Sequence, residues 1–487
     1  MTDRERTSSF GPLTRGPRLP RRALLFAGVA VLAGGLAPRL GHAVGADVQR
    51  LELAARPATF PLIGGQYPDT AVWAYSDTVP GPTIRARQGE RLRIAVANGL
   101  DQDTTVHWHG LRVPNAMDGV PHLTQDPIAP GESFLYEFDL PDAGTYWYHP
   151  HFGSPEQVGR GLYGALIVEE PNPPAVDREL VWVMDDWRLD QQAQITDDFS
   201  DWHDLSHAGR LGNSVTVNGR LPQDVAVRAG ERIRLRLINA ANARIFALEF
   251  RDHDPWVIAL DGQPAVPHRP PGHRVVIAPS QRVDLILDMT GAPGSSAQVI
   301  DSQYQRDVYR FLDLVYSEEA ALRAEPLDPP EALPANPLSS PVPGRCSRHK
   351  IEFGGGAMDP KLRRGEVTVE EVRSRVDGGG MWTVNGAAQL THMESPILTL
   401  QRDEHCLLEL VNDTMWFHPI HLHGHAFQLL TRNGAALPEP LWYDTILMSP
   451  GESMEIAFVA DNPGDWMFHC HILEHQVSGM MATIRVA

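Results

Sequence analysis

Three stretches of this 487-residue chain repeat one pattern. GERLRIAVAN (89–98), GERIRLRLIN (230–239) and DEHCLLELVN (403–412) each open on Gly or Asp followed by Glu, alternate between polar and apolar residues, and close on Asn. Period-two alternation marks a half-buried strand, and with Gly and Pro turns at short intervals elsewhere it predicts an all-β chain. A strand unit repeated three times predicts three related β domains, and a chain of this length is too long for a single core. The expected division is a leader over 1–46, domains over 47–170 and 171–316, a connecting segment over 317–365 that is Pro- and acid-rich and then Gly-rich, and a third domain over 366–487.

The leader reads as an address. Arg21 and Arg22 precede an apolar run from Ala23 to Ala37 and small residues around Ala43 and Ala46. The run is shorter than the ~20 residues a membrane span needs. It resembles a twin-arginine export signal, with Pro20 where Ser or Thr usually precedes the pair, and this implies a periplasmic or secreted protein with no stable membrane association once the signal is removed. The formal net charge of −19 argues against nucleic acid as a partner. With only Cys346, Cys406 and Cys470, an exported chain of this size is not held by a disulfide framework. Cys346 reads as a bystander in the connecting segment, and Cys406, at the repeat position of Leu92 and Ile233, as a buried apolar thiol.

The repeats differ where chemistry would sit. Nine residues beyond the closing Asn, the first copy has His107 and His109, the third has His421 and His423, and the middle copy has Leu248 and Phe250. A second alignment sets DAGTYWYHPHFG (142–153) against NPGDWMFHCHIL (462–473), so His149, Pro150 and His151 match His469, Cys470 and His471. GLYGALIV (161–168) likewise matches GMMATIRV (479–486), pairing Leu162 with Met480, so only the third unit carries sulfur.

On a strand, His-x-His places both rings on one face, roughly 6–7 Å apart, a spacing suited to two ligands for adjacent metals. One such pair can be purely structural, but four pairs in two matched sets call for a metal cluster. Eight imidazoles exceed the about four ligands of one zinc ion, and zinc leaves the neighbouring sulfur unexplained. Two His, one Cys and a weak axial Met are the set of a blue-copper electron-transfer site, and Cys470, His475, Met480 and a His from HPIHLHGH (418–425) supply it. His418 is the favoured fourth ligand; His425, the rival, reads as a structural hydrogen-bonding residue.

HWHG (107–110), HPH (149–151), HPIHLHG (418–424) and HCHILEHQVSGMM (469–481) closely resemble the four copper-binding motifs of the three-domain multicopper oxidases, the group of laccases and bacterial copper-efflux oxidases. The resemblance spans nearly all the chain after the leader, including DGVPHLTQDPIAPG (118–131). It implies three cupredoxin-like Greek-key domains and four copper ions. His418, Cys470, His475 and Met480 would hold the type 1 copper and His107 and His421 the type 2 copper. His109, His149, His151, His423, His469 and His471 would hold the type 3 pair. The implied reaction is four one-electron oxidations of a small-molecule reductant coupled to reduction of O2 to two waters by a monomeric enzyme. Asp118 matches an acidic residue thought to assist proton delivery in the family, although an Asp-Gly pair is also a common turn. Gln476 stands where several bacterial relatives have an acid. Metal-oxidising relatives usually carry a Met-rich insertion, whereas the 13 Met here are scattered and the 317–365 segment holds only Met358, which favours phenols or aromatic amines over cuprous ion. Met415 and Trp416 are candidates for the donor entrance, and Met481 for packing.

Overall fold

The computed structural model describes residues 48–487 apart from 324, 326 and 392–394, so the leader expected over 1–46 lies outside the described residues. The described chain is all-β, with three cupredoxin-like domains of two sheets each. The first has two four-stranded sheets between Val48 and Glu169; the second and third each have a six-stranded and a five-stranded sheet, spanning Arg178–Tyr316 and Ser347–Val486. Each domain encloses its own apolar core.

The repeated stretches occupy the same place in each domain. Strands Arg91–Asn98, Arg232–Asn239 and Glu404–Asn412 each run parallel to the strand before them in their sheet and antiparallel to a later one. Gly89, Gly230 and Asp403 turn at φ of 90°, 77° and 63°, a left-handed conformation open to Gly and tolerated by Asp. The Glu that follows accepts the backbone N–H three residues back, from Arg87, Arg228 and Gln401, at 2.8, 3.0 and 2.8 Å. The closing Asn is a buried staple: Asn98, Asn239 and Asn412 each accept the N–H two residues on at 3.0, 3.0 and 3.1 Å and donate to two carbonyls across the turn. These side-chain bonds satisfy backbone groups that leave the ladder, which is why these residue types recur.

The connecting segment is shorter than 317–365. Ser347–Gly355 is a strand of the third domain, pairing parallel with Glu404–Asn412, and Gly354 to Gly356 are part of its packed end rather than a flexible spacer. Gly356 has φ of 74°, and a Cβ there would overlap the Trp382 ring. Close approach, not freedom, requires the glycine. Leu248 and Phe250 of the middle domain are buried in its apolar core, as is Cys406 in the third.

Candidate metal centre

The two His-bearing strands of the first domain lie side by side, with His107 opposite His149, and the third domain repeats this with His421 opposite His469. The domains then face one another. His107 meets His423 with ring centroids 4.0 Å apart, His109 stacks on His421 at 3.8 Å, His149 meets His471 at 5.1 Å and His151 meets His469 at 5.2 Å. All eight rings are buried. Burial, reinforced by neighbouring imidazoles, holds His109, His149, His151, His423, His469 and His471 well below the ordinary imidazole range, so they are neutral with a lone pair to give.

Outer hydrogen bonds orient the rings in matched pairs. His149 and His469 donate Nδ1–H to the carbonyls of Pro150 and Cys470 at 3.0 and 2.8 Å, and His107 and His421 to the carbonyls of Asp118 and Asp444, both at 2.8 Å. His423 donates Nδ1–H to Asp118 Oδ2 at 2.9 Å. Of the nitrogens that remain, Nε2 of His107, His151 and His421 and Nδ1 of His109 and His471 are buried without a protein partner, and Nε2 of His423 faces that of His469 at 3.0 Å and Nε2 of His149 that of His471 at 3.4 Å. Buried polar atoms left this way are costly, and a set of lone pairs converging from two domains fits metal ions.

A second group sits on the other face of the strand Gly464–Cys470. Cys470 Sγ is 3.5 Å from His418 Nδ1 and 3.7 Å from His475 Nδ1, and those nitrogens are 3.1 Å apart. A trigonal centre with ordinary imidazole and thiolate bond lengths has sides of roughly 3.5–3.8 Å, close to this triangle. Each imidazole is turned by its far nitrogen: His418 Nε2–H donates to Thr414 Oγ1 at 2.8 Å and His475 Nε2–H to the His207 carbonyl at 2.7 Å. Burial pushes His475 down to about 3, leaving its imidazole neutral with a lone pair to give, and pushes the Cys470 thiol up, so a bound metal would have to displace its proton. Met480 is fully buried and tied to the triad through its backbone, donating to the His475 carbonyl and accepting from the Cys470 N–H, both at 3.0 Å.

His425 stands apart from the triad, its Nδ1–H donating to the His423 carbonyl at 3.2 Å. Asp118 takes the turn position that the Asp-Gly pair predicts. It caps the turn Asn115–Met117 and its buried carboxylate orients His423. Gln476 Nε2 is 3.3 Å from His151 Nδ1. With His151 Nε2 given to a metal, Nδ1 carries the proton and the amide must present its oxygen. Met481 packs with Val120 and Met467. Met415 is exposed and Trp416 half-buried.

Sequence reading missed Asp444 and Arg282. Asp444 Oδ1 lies 3.1 Å from His109 Nε2 and 3.4 Å from His421 Nδ1. Burial alone would raise this carboxyl, but the Arg282 guanidinium and His421 hold it below the usual range. Arg282, from the middle domain, pairs with Asp444 while burial and the Asp444 charge raise Asp261 behind it. Arg282 shares the strand Arg282–Asp288 with two other charged residues, Asp284 and Asp288, so its charge alone did not single it out. The middle domain carries no cluster ligand, yet it supplies this guanidinium.

A thiolate–imidazole triad one residue away from a buried histidine cluster defines a copper-type redox protein. Multicopper oxidase family models match residues 62–173, 178–308 and 365–487. The multicopper oxidase MmcO of Mycobacterium tuberculosis is 31% identical over 88% of this chain and 85% of its own. Laccase-3 of Botryotinia fuckeliana is 28% identical over 82% and 99%, and copper resistance protein A of Escherichia coli 26% over 84% and 88%. A multicopper oxidase structure from Pseudomonas thermotolerans aligns with a TM-score of 0.80 at 35% identity, covering 91% of this chain and 100% of that one. The chain belongs to the multicopper oxidases and is a copper-dependent oxidoreductase.

Proposed function

We propose that the protein couples four one-electron oxidations of a phenol or aromatic amine, at the centre formed by His418, Cys470, His475 and Met480, to reduction of O2 to two waters at the eight-histidine cluster. One observation carries this reading: Cys470 faces the triad while His469 and His471, its chain neighbours, face the cluster. The two sites are thus joined by a single residue's backbone on each side. When bound, copper supplies reversible one-electron chemistry, counted here as one type 1 ion, one type 2 ion on His107 and His421, and a type 3 pair on the other six histidines.

The residues around the metals do the rest. Thr414 and the His207 carbonyl hold two imidazoles in the tautomer that frees Nδ1. Burial of the eight rings excludes bulk water from the cluster. Asp118 positions His107 and His423 and is the proton relay in this reading; Glu474, a buried carboxyl raised by desolvation and held by Asn242 at 3.1 Å, is a second buried acid. The Arg21–Arg22 leader supports export to the periplasm or beyond, and we assign a monomer with no lasting membrane attachment; among the described residues no helix is long and apolar enough to cross a membrane.

A second reading, cuprous-ion oxidation in copper tolerance, draws support from the similarity to copper resistance protein A and to a Campylobacter jejuni multicopper oxidase described as a metallo-oxidase, 26% identical with a TM-score of 0.75. Oxygen uptake by copper-loaded protein separates the two. Turnover of a phenol supports the first; turnover of Cu(I) alone overturns it in favour of the second; uptake with neither overturns both.

A further inference from the structure

His475 is fully buried, and its outward nitrogen is already committed to the His207 carbonyl at 2.7 Å. A donor therefore cannot touch the imidazole. What covers it is the helix Trp202–Ser206 and His207 of the middle domain, held as a fixed part of the wall. Asp201 caps the helix by accepting from the His203 N–H at 2.8 Å, Trp382 Nε1–H donates to the Leu205 carbonyl at 2.7 Å, and the Ala357 N–H donates to the Ser206 carbonyl at 2.7 Å.

The outer side of this cover is aromatic. The His203 and His207 rings stack at 4.1 Å with 11° between planes, and His207 meets Trp416 edge-on at 5.1 Å. Trp416 is fixed by its own Nε1–H donating to the Ala357 carbonyl at 3.0 Å. Solvent reaches this region: Trp202 is 55% exposed and Met415, beside Trp416 in the chain, 41%.

We propose that the aromatic donor docks on the His207–Trp416 platform rather than on His475, and that its electron passes through the His207 main chain and carbonyl to His475. This rests on the organic-donor reading above. The chemistry matches the surface, because flat, electron-rich rings stack on flat rings with their polar group left in water. In the step itself the phenol O–H bond breaks, the phenol loses one electron and becomes a phenoxyl radical, the proton goes to solvent, and the electron would reduce the cupric ion that His418, Cys470 and His475 would hold.

The test uses copper-loaded protein and 4-nitrophenol, a poorly oxidised analogue, with the dissociation constant measured by equilibrium dialysis. Trp416→Leu and His207→Ala should each weaken binding about fivefold to tenfold. KM for an oxidisable phenol should rise in parallel while kcat and the blue absorption band hold, since the carbonyl path survives side-chain replacement. His207→Phe should restore binding, which a purely structural role for His207 would not produce. Should Trp416→Leu disturb the band, the two variants at half-buried His207 decide the matter. Unchanged binding and KM in the variants of an enzyme that oxidises phenols would overturn the platform and leave the donor class standing. Wild-type protein that neither binds 4-nitrophenol nor oxidises phenols, but consumes oxygen with Cu(I), would overturn both.

Discussion

His107 and His421 are anchored alike: each donates Nδ1–H to the backbone carbonyl of a buried aspartate, Asp118 or Asp444, at 2.8 Å. The two domains thus present equivalent histidines to one another, each backed by a carboxylate. The supports differ, however. Asp444 leans on Arg282 from the middle domain, whereas Asp118 stands in a turn of its own domain.

That asymmetry makes Arg282 a point of failure. Arg282→Met removes the partner of a fully buried carboxylate, which typically costs about 3–5 kcal/mol. Urea unfolding should show the loss. Because Asp444 orients His109 and His421, copper affinity at the cluster should also fall by roughly 10–100-fold, measured by competition with a chelator. A variant as stable as wild type would show that the pair does not carry the site.

Cys470→Ser should remove the blue colour and abolish donor oxidation while the cluster keeps its copper, because His469 and His471 are untouched and the serine still completes the strand. Metal content with visible absorption spectra checks both halves. Oxidation of donors at the wild-type rate would refute the triad assignment.

Gly119 follows Asp118 with φ of 81°, and a Cβ there would overlap the Val106 carbonyl just before His107. Gly119→Ala should therefore cost more than the ~1–2 kcal/mol of a left-handed non-glycine residue. It should also displace the strand His107–His109. The expected result is lower thermal stability together with reduced copper uptake; loss of stability with full copper content would place the strain elsewhere.

Acid should destabilise the copper-free protein. In the unfolded chain His475 protonates near the ordinary value of about 6.5, whereas in the fold burial holds it down to about 3. The unfolded state then binds more protons throughout that window, so stability is full above it and falls as pH drops, by up to about 1.4 kcal/mol per pH unit for each such imidazole. His418 and the cluster histidines shifted in the same direction add to the slope. Urea midpoints at neutral pH and at successively lower values read it directly; a flat profile down to the mid-acid range would contradict neutral buried imidazoles.

The all-β fold, the three domains and the histidine-bearing strands were legible because each depends on short-range pattern. Gly89, Glu90 and Asn98 form their turn and staple with residues close in the chain or in the same sheet, so the same letters return at Gly230 and Asn239 and, with Asp403, at Asn412. The start of the third domain was misjudged because Gly354 to Gly356 read as a spacer; the reason for those glycines is the Trp382 ring, which arrives from another strand. Asp444 and Arg282 escaped notice for a similar reason. Asp444 is 335 residues from His109 and 162 from Arg282, distances over which no local periodicity survives.

By itself the sequence determined which faces of which strands carry imidazole and sulfur, because side-chain alternation along a strand is set by its own backbone. The same alternation separates Cys470 from His469 and His471. Only the tertiary structure decided that the middle domain, bare of cluster ligands, would brace Asp444 with Arg282 and cover His475 with His207. Those contacts arise where separately folded domains dock, and shape and charge complementarity between distant surfaces leaves no repeat in the chain.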